Sequence, residues 1–91
     1  MRFTWDEDKA RSNLRKHGVS FEEAVTVFAD PLALIVEDVH HAERSLIVGV
    51  SSSGGLLVTV FAERREDEIR IISARVATKH ERRRYESGEN A

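Results

Sequence analysis

The hydrophobic period of the chain changes at its single proline. Upstream of Pro31, Phe21, Ala24, Val25 and Phe28 recur at i, i+3, i+4 and i+7, the spacing of one core-facing helical stripe. Ser20-Phe21-Glu22-Glu23 reads as a capping box that opens this helix, and Asp30-Pro31 closes it. A preceding helix is predicted from Thr4-Trp5-Asp6-Glu7, a capping signal with acids in the first turn where the helix dipole favours them. It should run to His17 and stop at Gly18, contributing Ala10 and Leu14 to the core. Arg2-Phe3-Thr4-Trp5 reads as a short strand or an extended arm.

Downstream the apolar residues come in short runs. Residues 32–36 are one, residues 37–45 are a polar loop, and residues 46–50 and 56–61 are two further runs. Ser51-Ser52-Ser53-Gly54-Gly55 joins the latter pair as a hairpin. Residues 64–68 form a charged turn, residues 68–75 a fourth strand, and Thr78-Lys79-His80-Glu81 a capping box opening a last, basic helix that closes on Tyr85. The predicted order is α-α-β-β-β-β-α over a single domain, residues 1–91. That is an α+β fold with two N-terminal helices, a four-stranded, mainly antiparallel sheet and a C-terminal helix. Alternation along the last strand groups Ile69, Ile71, Ser73 and Arg75 on one face and Arg70, Ile72 and Ala74 on the other. Arg75 then reaches outward from the rim of the sheet.

Composition narrows the possibilities. The chain has 91 residues, no cysteine and 41% hydrophobic residues, which suits one modest core in a reducing compartment. No segment approaches the ~20 apolar residues of a membrane span, so a soluble, cytoplasmic protein is expected. The net charge of −2 hides a division. Residues 1–19 and 69–85 are basic, whereas residues 20–68 are strongly acidic. Local potential rather than total charge governs docking of a polyanion, so the basic ends suit nucleic acid and the acidic middle suits a basic partner.

Three blocks carry a resemblance. They are Trp5-Asp6-x-x-Lys9-x-x-x-Asn13-x-x-Lys16-His17-Gly18-Val19-x-Phe21-x-x-Ala24, then Phe28-x-Asp30-Pro31, then Ser73-Ala74-Arg75-x-Ala77-Thr78-x-x-Glu81-Arg82-x-x-Tyr85-Glu86. In this order they resemble the BrnT toxins of bacterial type II toxin–antitoxin pairs, across nearly the whole chain. The resemblance implies a RelE-like ribonuclease that arrests translation by cutting RNA without a metal or other cofactor. It also implies neutralisation by a BrnA-like antitoxin with a ribbon-helix-helix domain, through which alone the toxin would meet operator DNA. The middle, Val39-His40-His41-Ala42-Glu43-Arg44, is compact where relatives often carry a longer acidic loop.

Such cleavage needs a base for the 2′-hydroxyl, an acid for the leaving 5′-oxygen and cations for the charge on phosphorus. Arg75, Arg82 and Arg64 are the cationic candidates, since a guanidinium binds two phosphate oxygens and stays charged. Each could equally be a surface arginine paired with Glu63, Glu66 or Glu81. Tyr85 shares a helix face with Arg82, and a ring of arginines would lower its pKa enough for proton transfer. A tyrosine packing the last helix on the sheet fits the same position. Lys9, Asn13 and Lys16 fall on one stripe with His17 beside it, a second wall for RNA contacts or simply a solvated face. Lys79 and His80 extend the RNA-facing set, while Trp5 better suits anchoring the first helix. His40-His41 lacks the spacing of a zinc site, so no metal site is expected. The alternative function is a non-catalytic partner that binds the antitoxin and modulates its grip on operator DNA.

Overall fold

The computed structural model describes residues 1–88, so the last three residues of the expected domain lie outside it. The elements are β1 (Arg2–Thr4), α1 (Glu7–His17), α2 (Phe21–Val25) running into a 3-10 turn (Thr26–Ala29), β2 (Leu34–Glu37), β3 (Ser45–Val50), β4 (Leu56–Arg64), β5 (Glu68–Val76) and α3 (Lys79–Ser87). They build one sheet in the order β1-β5-β4-β3-β2. β2 to β5 pair antiparallel as expected, but β1 adds a fifth strand parallel to β5, so the sheet is mixed rather than four-stranded. Three residues are too few to show a period. Arg2–Thr4 become a strand because Arg2 N–H reaches the Asp67 carbonyl at 2.8 Å and the Thr4 hydroxyl donates to Glu68 at 2.7 Å.

That use of Thr4 moves the first helix cap to Asp6, whose carboxylate accepts from the N–H groups of Asp8 (2.8 Å) and Lys9 (3.2 Å). Gly18 ends α1 at φ 70°, as expected of a left-handed C-terminal residue. The second helix is shorter than its stripe suggests. After Val25 it tightens to 3-10 geometry, passing so close to β3 that a Cβ on Gly49 would lie 3.2 Å from the Val27 carbonyl oxygen.

The main core lies between the sheet and α1 and α2, with Phe21, Ala24, Val27, Ile71 and Ala74 at its centre. Trp5 meets Phe21 edge-on at 5.9 Å, which pins the start of α1. Phe28 bridges Phe3 and Phe61, each at 5.0 Å. The expected Leu14 contribution fails: Leu14 is exposed, and Asn13 is the buried residue of α1. Asn13 docks the helix through its amide. It donates to the carbonyls of Val19 (3.0 Å) and Ala74 (2.8 Å) and accepts from Ala74 N–H (3.1 Å). It therefore completes the edge of β5 where β1 ends.

A β-bulge changes the faces of β5. Ser73 pairs with Val60 and Ile71 with Phe61, so Ile72 is the extra residue. Ala74 thereby joins Ile69 and Ile71 on the core face, and Arg75 falls opposite Val58 on the other face, with Ser73 and Arg70. Strict alternation had divided these residues differently. The second face is half covered: α3 lies over a small cluster of Leu34, Val48, Leu56 and Val58, contributing Tyr85, with Ala77 packed alongside. The rest of that face is open.

Candidate functional site

The open half of the sheet is cationic because of register. Ala62 pairs with Arg70 on β5, Arg70 with Thr4 on β1, and the residue preceding Ser45↔Phe61 on β3 is Arg44. Arg44, Ala62 and Arg70 therefore stand side by side, and the small methyl of Ala62 leaves a hollow between two guanidinium stems. Arg64 follows two residues along β4 on the same face, and Lys9 and Asp6 close the hollow from the start of α1. The hollow measures about 240 Å³ and also carries Glu43 and Ile72 on its wall. A second hollow of about 210 Å³ continues along the seam between α1 and β5, lined by Lys9, Ser12, Asn13, Lys16, His17, Ile72 and Ser73. Lys9 and Ile72 belong to both, so the two form a continuous polar track.

The expected site residues fall into two groups on this geometry. Arg64, Lys9, Lys16 and His17 line the track, whereas Asn13 touches it only as a buried backbone clamp and is not an exposed RNA contact. Arg70 and Arg44 were missed by sequence reasoning. No helical stripe or capping motif marks them, and only strand register reveals that they flank a small residue. The second group sits at α3, four residues further along β4 from Ala62, or roughly 13 Å at ~3.3 Å per residue. There Arg75 holds Glu81 through two parallel bonds of 2.8 Å, which keeps Arg75 protonated and lowers the Glu81 pKa to about 2. Glu81 also accepts from Thr78 N–H at 2.8 Å, closing the expected capping box. This pair ties the end of β5 to the first turn of α3.

Tyr85 does not stand in a ring of arginines. Its hydroxyl donates to Asp30 at 2.5 Å, and that bond, with some burial, raises its pKa to about 12. The expectation of a lowered phenol pKa is overturned because the nearest charge is a carboxylate. Burial pushes Asp30 upward, but the bonds from Tyr85 and from the N–H groups of Val50 and Leu32 outweigh it and hold Asp30 ionised. Arg82 is exposed and lies 3.7 Å from Glu86, and Lys79 and His80 are exposed in the first turn of α3. Among the described residues, no group of three or more His, Asp or Glu side chains comes together as a metal site would need.

Residues 5–81 match the family model described as the ribonuclease toxin, BrnT, of a type II toxin–antitoxin system. The chain belongs to the BrnT family. This family member resembles in fold the crystal structure of the ribonuclease toxin BrnT from Brucella abortus, with a TM-score of 0.72 and 23% identity over 87% of this chain and 99% of that one. No curated protein sequence matches it. Type II membership gives this BrnT family member a cognate antitoxin as partner. No helix among the described residues is long and apolar enough to cross a membrane.

Proposed function

We propose that this chain is a RelE-like endoribonuclease that cuts RNA without a metal ion in the hollow floored by Ala62. The observation that carries this reading is the continuous track in which Lys9 joins the Arg44, Arg64 and Arg70 cluster to Lys16 and His17. A strand lying along the track would meet cations at successive phosphates, with base stacking limited to the His17 ring because no Phe, Tyr or Trp lines it. The 2′-oxygen attacks phosphorus, the P–O5′ bond breaks, and the products are a cyclic phosphate and a 5′-hydroxyl. Arg44, Arg64 and Arg70 stabilise the charge that builds on the phosphoryl oxygens. Glu43 takes the 2′-hydroxyl proton, since Asp6, the other carboxylate of the hollow, is held low by its bonds to the N–H groups of Lys9 and Asp8. Lys9 returns a proton to the leaving oxygen. Arg75 and Tyr85 act by holding α3 on the sheet, and Arg82, Lys79 and His80 add cationic surface beyond the track. The cognate antitoxin is of the ribbon-helix-helix type and is the toxin's only link to operator DNA.

The test is incubation of the antitoxin-free chain with single-stranded RNA in EDTA, mapping the ends produced. Arg70→Ala should slow cleavage by about 10²-fold, the usual cost of one transition-state donor. Glu43→Gln should lower the rate by about 10²–10⁴-fold while RNA still binds. Cleavage that requires a divalent cation would overturn the metal-free step. Full activity in both variants would remove the hollow as the centre. Antitoxin binding by a wild-type chain that neither cleaves RNA nor arrests growth would favour the regulatory-partner alternative.

A further inference from the structure

The sheet ends in β1 on one side and β2 on the other, and β1 is only three residues long. β1 and the Asn13 amide complete the β5 edge, but β2 ends the sheet with no described element paired to its outer side. Its register fixes which backbone groups are left over. Asp38 N–H bonds the Arg44 carbonyl at 3.2 Å, in step with Val36↔Leu46 and Leu34↔Val48. Bonded and non-bonded pairs alternate in an antiparallel ladder, so Leu34 and Val36 face β3 while Ile35 and Glu37 turn their N–H and C=O groups outward. Exposed apolar side chains concentrate on the same stretch. Leu32 is 72%, Ile35 57% and Val39 88% exposed, three of the seven large exposed hydrophobics of the described residues within eight positions. Natural edges are usually blunted by lysine, proline or a bulge. This one has Pro31 before it, but carries no basic residue of its own.

We propose that the free edge of β2 receives an extended segment of a protein partner as a sixth strand, apolar at alternate positions and carrying lysine or arginine beside Glu37 and Asp38. Charge decides the occupant. Glu37, Asp38 and Glu43 cluster at one end, and Arg44, the one Lys or Arg between residues 20 and 63, turns into the hollow instead. A second copy pairing antiparallel through β2 would set Glu37 and Asp38 of each chain beside the apolar start of the other's strand, Ala33 and Leu34, where no cation meets them. A basic strand supplies the cations that a second copy lacks. Membership of a type II toxin family supplies a protein partner for the edge.

The position of the edge has a consequence. Three inter-strand steps separate β2 from β5, roughly 14 Å at ~4.8 Å each. A strand added to β2 therefore stays clear of the seam between α1 and β5. Docking at this edge leaves the α1–β5 seam uncovered, whereas Glu43 and Arg44, at the other end of the track, adjoin β2 and come within reach of the docked segment.

The test uses three fluorescent ten-residue peptides with the full chain. One alternates valine and lysine, one alternates valine and glutamate, and one is the lysine peptide with alternate backbone amides N-methylated. The lysine peptide should bind, and the other two should bind at least about tenfold more weakly, equivalent to about 1.4 kcal/mol. Ile35→Pro deletes an outward N–H without touching the ladder to β3, a substitution edge strands accept, and should weaken the lysine peptide to a similar degree. Ile35→Lys, checked for folding by circular dichroism, should do so by charge. Equal binding of the N-methylated peptide, equal binding of the glutamate peptide, or no binding at millimolar concentration would each overturn the proposal. So would a dimer of the chain that Ile35→Lys dissolves, since the occupant would then be a second copy.

Discussion

Replacing Asn13 by alanine separates two accounts of one residue. On the sequence pattern Asn13 faces RNA; in the fold it is 6% exposed and makes three hydrogen bonds of 2.8–3.1 Å to the backbone of Val19 and Ala74. At a net value of about 1 kcal/mol per bond, the loss is about 3 kcal/mol. Three orphaned backbone groups in a dry core would cost more, since each unsatisfied group is worth about 1–3 kcal/mol. Asn13 borders the second hollow, however, where water can enter and bond them, so the lower figure applies. A domain of this size has only about 5–14 kcal/mol in all. The melting temperature should therefore fall by about 12–24 °C, at ~4–8 °C per kcal/mol. Urea unfolding followed through Trp5 fluorescence measures the loss. Leu14→Ala, one position on and exposed, serves as the control and should stay within about 0.5 kcal/mol of wild type. Asn13→Asp should lose at least as much at neutral pH, because an acceptor would then face two carbonyl oxygens. Wild-type stability of Asn13→Ala together with a loss of RNA affinity would instead place the Asn13 amide on the RNA-facing surface.

The other predictions follow from the same geometry. RNA affinity should fall with salt at a slope of about −3 in log–log form, if four or five track cations each meet a phosphate at ~0.7 per contact; neutralising Arg64 or Lys16 should flatten it by about 0.7, whereas Arg83→Gln on α3 should not. Tyr85→Phe should cost about 1–2 kcal/mol through the lost bond to Asp30, yet retain cleavage, because a phenol raised to about 12 is no base at neutral pH. Glu81 has its pKa lowered from 4.5 to about 2, so the Arg75 pair stabilises the fold fully above pH 4.5 and ceases to do so as the pH falls toward 2. Glu81→Gln should accordingly be less stable than wild type at pH 7 and lose less on acidification, as denaturant titrations across that window would report. Glu66 and Asp67 hold φ of 63° and 66° in the β4–β5 turn, a conformation costing non-glycine residues about 1–2 kcal/mol. Glu66→Gly should raise stability by a few tenths to about 1 kcal/mol, read as a shift in urea midpoint; no gain would mean that the turn is not strained.

The sequence by itself determined the elements that local chemistry writes. Ser20 and Thr78 each bond the backbone three residues on, and Gly18 takes its left-handed conformation, because capping acts within one turn. The alternating and continuous apolar runs identified β3, β4 and β5, and the family blocks carried the relationship to BrnT toxins. Tertiary structure decided what depends on residues far apart in the chain. Arg2–Thr4 become a strand only when β5 offers an edge, and Asn13 is buried only because Ala74, 61 positions away, presents two free backbone groups. One bulged residue, Ile72, exchanges the faces of Ala74 and Arg75, a change that a period of two cannot express. Asp30, 55 residues before Tyr85, turns a prospective base into a structural donor. The hollow itself exists because register sets Ala62 between Arg44 and Arg70. Spacing along a chain encodes periods and caps, whereas the meeting of side chains from different strands is settled only when the backbones pair.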